Sequence, residues 1–482
     1  MLFMGLDVGT QGVRCVVVDE KGNVAAAKSV VFERLNTAKD PGLYEQDPKD
    51  WERAMEEAVT ACTAALKGLG IPAEEIRALS IDGTSGTILP LDENNAPLMH
   101  ALMYNDPRAS LEAAQVHGAM GAHEKKLGLS FGASFSLPRI LWIRDNAPAL
   151  YEKTCTFAHQ ADYVAGLLCG EYRVSDYSNA LKTGYDLIDG RWPGEIRELG
   201  LDPDKLPRIL QPGAPIARVS PEAAGRFGLA SRTWVTGGST DGYASALAAG
   251  AVQAGSWASI IGTTFVLKGV TKELVIDPNG SSYSHRLPSG EWLLGGAANI
   301  GGRCLNACAQ GRPFAQLDQE AMALVPTGAR CYPLTGRGER FPFVDPGAEP
   351  FYRGDILGGK LYPALLEGVG FAERLAFERM MKLGCPVGDT IFATGGACRS
   401  DVWLKIRASI LNRRLAVPRV VDAAMGSALL AASGHFGSLK AAAAAMISFD
   451  KEVEPESAWV APYEEAYRAF EADCAKLYRM EG

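Results

Sequence analysis

Apolar residues open the chain in two short runs, at residues 2–6 and 15–18, separated by the turn Gly9-Thr10-Gln11-Gly12 and followed by Asp19-Glu20-Lys21-Gly22-Asn23. Short apolar runs bounded by Gly, Asp and Asn predict buried strands, so the chain is expected to begin as a hairpin. A further strand is expected around residues 25–32, a helix over 48–69 and a strand over 78–81. Strands and helices then alternate. A second hairpin-like pair, 87–91 and 98–104, surrounds Asp92-Glu93-Asn94-Asn95, and helices are predicted through 141–145 and 162–168. Pro and Gly become denser between residues 201 and 215.

The alternation restarts at Thr236-Gly237-Gly238-Ser239-Thr240-Asp241-Gly242, which leads into an Ala-rich helical stretch to Val252 and strands around Gly262. A boundary near Gly237 is expected, giving domains 1–236 and 237–482. Further on, a helix is predicted over 364–383 and a strand over 390–393, entering Gly395-Gly396-Ala397. A helix over 401–412 follows, with Ser400 at its N-cap and Trp403, Ile406 and Ile410 spaced for one buried face. The last helix, residues 463–480, is a candidate to pack back onto the first domain.

At 482 residues the chain exceeds one ordinary core, and two large domains are the expectation. With 47% apolar and 22% charged residues it has the composition of a globular protein, without a disordered tail. A formal charge of −8 argues against a nucleic-acid surface and suits a small-molecule enzyme with positive charge only where phosphate sits. Ten cysteines are scattered with no CxxC pair, which points to a reduced cytosolic setting. Cys304 and Cys308 share helical spacing but lack a His or a second pair, so they read as buried small side chains rather than metal ligands. Residues 1–4 carry no basic region or cleavage-like site, and no signal peptide is expected. The uncharged run 242–267 is long enough for a membrane span, but its Gly, Ser and Thr residues and Gln253 read as buried core.

Chemistry concentrates in Gly5-Leu6-Asp7-Val8-Gly9-Thr10-Gln11-Gly12-Val13-Arg14. A Gly/Thr-rich turn between strands leaves backbone N–H groups facing outward, and Gly9 and Gly12 allow a bulky anion near the main chain. Asp7 and Arg14 bracket the turn with the two signs of charge that a nucleotide triphosphate and its divalent metal require. Alone, the segment is equally compatible with an ordinary hairpin turn. A related piece, Ser259-Ile260-Ile261-Gly262-Thr263-Thr264-Phe265-Val266-Leu267, again breaks a strand at Gly-Thr-Thr. Two such turns would suit a nucleotide clamped between two similar domains.

Together these pieces, spread over nearly the whole chain, resemble the FGGY family of carbohydrate kinases. Residues 134–146, Ser-Phe-Ser-Leu-Pro-Arg-Ile-Leu-Trp-Ile-Arg-Asp-Asn, resemble its first signature, with Arg139 where Lys is expected. Asp162-Tyr163 and Asp176-Tyr177-Ser178-Asn179-Ala180 look like another familiar stretch. Thr394-Gly395-Gly396-Ala397-Cys398-Arg399-Ser400 and the helix after it resemble the second signature. The resemblance implies an α/β fold of two actin-like (ribonuclease H-like) domains, with ATP and sugar meeting in the cleft between them. It further implies a cytoplasmic enzyme that uses ATP and Mg2+, of a family whose members are often homodimers, with no nucleic-acid or membrane partner.

By the same resemblance Asp241 is the catalytic base. Its place in a Gly-rich turn at a helix start stabilises the anion through helix N–H groups and the macrodipole, and orienting the attacking hydroxyl matters more than early deprotonation in a loose phosphoryl-transfer transition state. Without the family match, a helix cap is the favoured reading of Asp241. Asp7, Thr10, Gln11 and Arg14 are assigned to the terminal phosphates and Mg2+, with Asp7 on the metal side. Gly262, Thr263 and Thr264 meet the phosphates from the second domain. Gly395, Gly396 and Ala397 form a floor under the adenosine, with Ser400 beyond it, although a tight strand-to-helix turn explains those small residues nearly as well.

Sugar recognition is assigned to Asp82 and Ser85 in Asp82-Gly83-Thr84-Ser85-Gly86-Thr87 and to Asn105 and Asp106 in Tyr104-Asn105-Asp106-Pro107-Arg108, because such groups match hydroxyls that donate and accept at once. Turn formation also accounts for both segments. They depart from the Met-His pair and the Trp common in xylulose kinases and look more like the D-ribulose kinase branch. The expected substrate is a ketopentose, D-ribulose ahead of D-xylulose, phosphorylated at its terminal hydroxyl. The competing class is an actin- or Hsp70-like nucleotide switch, which has no need of Asn105, Asp106 or a base aimed at a second substrate. Residues 354–360 nearly spell a Walker motif, but Leu361 replaces the required Ser/Thr and no buried strand precedes it. No GxGxxG follows the first strand, which disfavours a dinucleotide fold.

Overall fold

The computed structural model describes residues 1–357 and 359–480. The chain divides into two compact units: one takes residues 1–248, 285–290 and 422–447, and the other takes 249–284, 291–421 and the chain from Ser448 onward.

The predicted opening hairpin is present as β1 (Leu2–Val8) and β2 (Gly12–Asp19). With β3 (Val24–Val31), β4 (Ile76–Gly83), β5 (Pro215–Arg218) and β6 (Trp234–Thr240) they form a six-stranded sheet in the order β5-β6-β4-β1-β2-β3. Every residue of β1 is buried, as a strand covered on both faces requires. Helix α1 (Pro48–Gly68), capped by Asp47 accepting from Lys49 N, buries Trp51, Met55, Val59 and Cys62 in the first core. β1 and β6 both run parallel to β4, so Asp7 stands beside Asp82 and Thr240 beside Gly83. The strand ends near Asp7 and Asp82 therefore lie along one edge of the sheet.

The expected boundary at Gly237 falls inside β6. β6 completes the first sheet, and it approaches β4 so closely that a Cβ on Gly238 would lie 2.0 Å from the Ile81 carbonyl oxygen. Helix α2 (Asp241–Ala249) follows directly, so Asp241 belongs to the first unit and not to the second as the sequence reading had it.

In the second unit, β7 (Trp257–Ile261) and β8 (Phe265–Thr271) form an antiparallel hairpin around the predicted Gly262-Thr263-Thr264 break. A seven-stranded sheet adds β9 (Tyr283–Arg286), β10 (Trp292–Ala297), β11 (Thr390–Thr394), β12 (Arg414–Pro418) and β13 (Phe449–Val453) in the order β9-β10-β8-β7-β11-β12-β13. The two sheets repeat one scheme. In each, a meander of three antiparallel strands is extended by two parallel strands and closed by an antiparallel edge strand, and the second sheet carries β9 as a seventh strand beyond β10. Helices α3 (Leu361–Lys382) and α4 (Asp401–Leu411) cover the second sheet, and Ser400 caps α4 by accepting from Trp403 N at 3.1 Å, as predicted.

The final helix, α5 (Ser457–Leu477), does not return to the first unit. Its Tyr463, Tyr467 and Phe470 join Phe371 and Tyr332 in the second core. The segment that does return is the Ala423–Phe436 helix with its successor Leu439–Met446. Its small residues allow backbone contact: a Cβ on Gly5 of β1 would lie 1.8 Å from the Ala424 carbonyl oxygen. The Walker-like segment stands between the short strand Phe351–Arg353 and α3, and its Gly358 lies outside the described residues. Among the described residues no helix is long and apolar enough to cross a membrane, and the run 242–267 is α2, a turn and β7 with the start of β8.

Candidate functional site

Asp7 stands one residue before the end of β1, opposite Arg14 on the hairpin, and Arg14 Nη1 lies 2.6 Å from Asp7 Oδ2. The turn between them is closed by Gly9 N donating to Gly12 O at 3.0 Å, with Thr10 partly exposed and Gln11 exposed. Its two glycines have different reasons. A Cβ on Gly12 would meet the Val30 carbonyl oxygen at 2.1 Å, so β3 demands that glycine. A Cβ on Gly9 would find only Asp7 Oδ1 at 3.6 Å and Gly12 O at 3.8 Å, which leaves room for a ligand above the turn.

Asp82 is wholly buried beside Asp7. Its Oδ2 accepts from Ser427 Oγ at 2.6 Å, and its Oδ1 has no hydrogen-bond partner. Burial pushes the Asp82 carboxyl well above the carboxylate range, with the neighbouring Asp7 adding to it. Burial also raises Asp7 to about 6, against the pull of Arg14 and with a push from the Asp241 charge. Asp82 thus stands with the acids behind the Gly9–Gly12 turn, and a carboxyl with no exposed surface is poorly placed to meet a sugar directly. Asp241 opens α2, partly buried, with Oδ1 accepting from Gly242 N at 2.6 Å. Two members of this cluster were missed by the sequence reading: Asp422, whose Oδ2 lies 3.7 Å from Arg14 Nε, and Ser427. The signal available was an Asp cap before the run Ala423-Ala424-Met425-Gly426-Ser427, which marks a helix built for close approach.

The two segments assigned to sugar are joined by the signature residue Arg139. Fully buried, it donates from Nη1 to Gly86 O at 2.9 Å and from Nη2 to Tyr104 O at 2.6 Å and Asp106 O at 3.1 Å. Burial lowers its pKa to about 10. Asp106 is saturated: Oδ1 accepts from Arg108 N and Nε, and Oδ2 from Tyr44 N and Arg108 Nη2. It holds the wall, and the exposed side chain beside it is Asn105. Ser85 is half-buried with an Oγ that lacks a hydrogen-bond partner, and Lys182 Nζ sits 3.2 Å from the Ser85 carbonyl. The Oγ is itself buried as well as unpartnered, and an unsatisfied buried hydroxyl marks a place where a ligand or a water can complete its bonding.

The second unit brings its predicted residues together. Gly262 N donates to Thr264 O at 3.0 Å across the β7–β8 turn, and Gly302 N and Arg303 N donate to Gly262 O and Thr263 O at 2.8 and 3.2 Å. Gly395 follows β11, which is parallel to β7. It has φ 89°, and a Cβ there would lie 2.5 Å from the Ile261 carbonyl oxygen. Gly396 and Ala397 begin a 3₁₀ turn, with open space beside Gly396, and Ser400 is engaged as the α4 cap. Gly301-Gly302 was missed, although the Gly-Gly pair after β10 is a turn signal.

Near α2, Asp176 caps the short Tyr177–Ala180 helix by accepting from Ser178 N and Asn179 N, and Ser178 Oγ lies 3.3 Å from Thr240 Oγ1. Burial raises Asp176 to about 7 from the 3.8 of a free carboxyl. The folded chain therefore holds a proton that the unfolded chain releases, so this stabilisation is complete below about 3.8 and is lost as pH rises through about 7. Asp7 and Glu367 act in the same direction through about 6 and about 7, while His123, lowered by burial, acts oppositely. The melting temperature of Asp176→Asn is expected to fall less between pH 5 and pH 8 than that of the intact chain. Equal slopes in thermal melts would refute the assignment.

A sheet scheme used twice, with a glycine-flanked turn in each copy and acids near parallel strand ends in the first, defines a two-unit α/β protein. Residues 2–248 match the N-terminal domain, and residues 257–435 the C-terminal domain, of the FGGY family of carbohydrate kinases. The chain belongs to this family and is a carbohydrate kinase. It is 27% identical over 458 residues to the xylulose kinase of Bacillus subtilis (strain 168), covering 91% of this chain and 89% of the relative. It is 26% identical to the gluconokinase of the same organism, covering 89% and 86%. A crystal structure of a "xyloylose kinase" from Brucella ovis superposes with a TM-score of 0.89 at 27% identity, covering 99% of both chains.

Proposed function

We propose that the chain transfers the terminal phosphoryl group of ATP to the terminal hydroxyl of a ketopentose, D-ribulose ahead of D-xylulose, with Asp241 as the base. The observation that carries this reading is the juxtaposition, in one unit, of the Asp7–Arg14 turn with Asp241, which follows β6 on the far side of β4 from β1 and whose charge bears on Asp7. The xylulose kinase relatives support a pentulose, and the Asp82–Thr87 and Tyr104–Asp106 segments support ribulose within that class.

In this reading Ser85 and Asn105 bind sugar hydroxyls, while Arg139, Asp106 and Arg108 hold the segments that carry them. Asp241 accepts a hydrogen bond from the attacking hydroxyl, aims it, and takes its proton as the bond to phosphorus forms. Arg14, Thr10 and Gln11 meet the terminal phosphates, with Gly262, Thr263 and Thr264, and Gly395, Gly396 and Ala397 take the adenosine. The acid cluster fits Mg2+. Its donors are hard carboxylate oxygens, and Asp82 Oδ1 has no hydrogen-bond partner. Asp7 would hold it, and it would neutralise charge on the transferred group. All ten cysteines are free thiols, which supports a reducing, cytoplasmic setting. A homodimer is the proposed assembly, to be checked by mass in solution.

The test is ATP consumption with D-ribulose, D-xylulose, aldopentoses, polyols, gluconate and no sugar. The highest kcat/KM is expected with D-ribulose, and Ser85→Ala is expected to raise its KM by about 3- to 10-fold, the worth of one hydrogen bond, with KM for ATP unchanged. Preference for gluconate would replace the substrate assignment. ATP hydrolysis indifferent to every sugar would favour a nucleotide switch.

A further inference from the structure

We propose that a cleft in the first unit, formed by residues 173–209 and separate from the acid cluster, binds a phosphate ester of a sugar or nucleoside. The cleft encloses about 650 Å³. The strands Val174–Asp176 and Arg208–Leu210 pair in parallel, with Arg208 N donating to Arg173 O at 2.9 Å, which sets both arginines at one end of the ribbon. A tight bridge between Asp186 and Arg191 delivers the third guanidinium. The next residue, Trp192, donates from Nε1 to Pro207 O at 3.2 Å, fixing the indole against the ribbon, and the Tyr185 ring meets it edge-on at 5.1 Å.

The charge of these arginines is available. Arg173 bonds two backbone carbonyls, of Cys155 and Asp204, which orient it without neutralising it. Arg191 pairs with Asp189 at 3.2 Å while 74% exposed, a contact worth little in water, and Arg208 has no ion-pair partner among the described residues. Asp204 is the one carboxylate in the lining. In a chain of net charge −8 this is a local reversal of sign, beside two aromatic rings. Guanidinium forks match phosphate oxygens, and an indole face takes the apolar face of a sugar or a base. The reaction class itself releases both sources of such a ligand, a sugar phosphate and ADP.

The ribbon also touches the catalytic end of the unit. Val174–Asp176 ends at the residue that caps the Tyr177–Ala180 helix, and Ser178 bonds Thr240 immediately before Asp241. The probes are ADP and D-ribulose 5-phosphate, titrated calorimetrically into the intact chain and into a variant carrying both Arg191→Gln and Arg208→Gln. The intact chain is expected to bind one of the two with one more site than the variant, while kcat of the variant stays unchanged. Trp192→Leu is expected to weaken that same site at least tenfold. Loss of the site for ADP alone identifies a nucleoside diphosphate, and loss for the sugar phosphate alone identifies the sugar ester. Identical stoichiometry and affinity for both probes in intact chain and double variant overturn the proposal. Because this readout is binding, it fails independently of the ribulose assignment.

Discussion

Asp241→Asn is expected to lower sugar-dependent ATP turnover by about 10²- to 10⁴-fold, the range for removal of a general base. The substitution keeps the shape of the side chain and an oxygen for Gly242 N, so the start of α2 stays capped. It removes one negative charge from a cluster in which Asp241 raises both Asp7 and Asp82. The melting temperature is therefore expected to hold or rise, and Asp7 to ionise at lower pH. A coupled assay at saturating ATP and ketopentose, beside a thermal melt, checks both halves. Turnover within tenfold of the intact chain would return Asp241 to the role of a cap.

Gly426→Ala is expected to cost roughly 1–3 kcal/mol or more through overpacking, and to reduce turnover with it. A Cβ on Gly426 would lie 2.0 Å from the Ala244 carbonyl oxygen and 2.6 Å from its carbon. Both atoms are backbone, so no side chain can swing aside. The helix must lift from α2, carrying Ser427 away from Asp82 and Asp422 away from Arg14. For a unit of this size the cost corresponds to a fall in melting temperature of about 2–5 °C. Ser427→Ala separates the effects, since it removes one hydrogen bond to Asp82 and leaves the helix seated. An unchanged melt for Gly426→Ala would show that the helix does not rest on Ala244.

What could be read in advance was local. Both hairpins, α1 and the Ser400 cap follow from neighbouring residues: apolar runs between turn residues, and a hydroxyl three positions before the N–H it accepts from. The site residues divide along the same line. Asp7 and Arg14 are seven apart on one hairpin and were legible as a pair. Ser427 and Asp82 are 345 apart, and nothing local to either predicts the other. Asp106 looked like a sugar ligand because its type is right. Its four donors come from Tyr44 and Arg108, and the donor from Tyr44 is 62 positions away. Arg139 stood out only as a departure from a signature, and its brace between Gly86 and Tyr104 required the fold to be seen.

By itself, then, the amino-acid order determined many of the elements, the two glycine-flanked hairpin turns and the family, because backbone conformation and turn chemistry are decided within a few residues. Tertiary structure alone decided that β6 and α2 close the first sheet, that the Ala423–Phe436 helix rather than the last helix returns to it, and which acids are buried together. Those outcomes depend on backbone surfaces meeting at about 2 Å of any added Cβ and on carboxyls sharing one dry edge. Such contacts join segments hundreds of residues apart, and no local pattern records them.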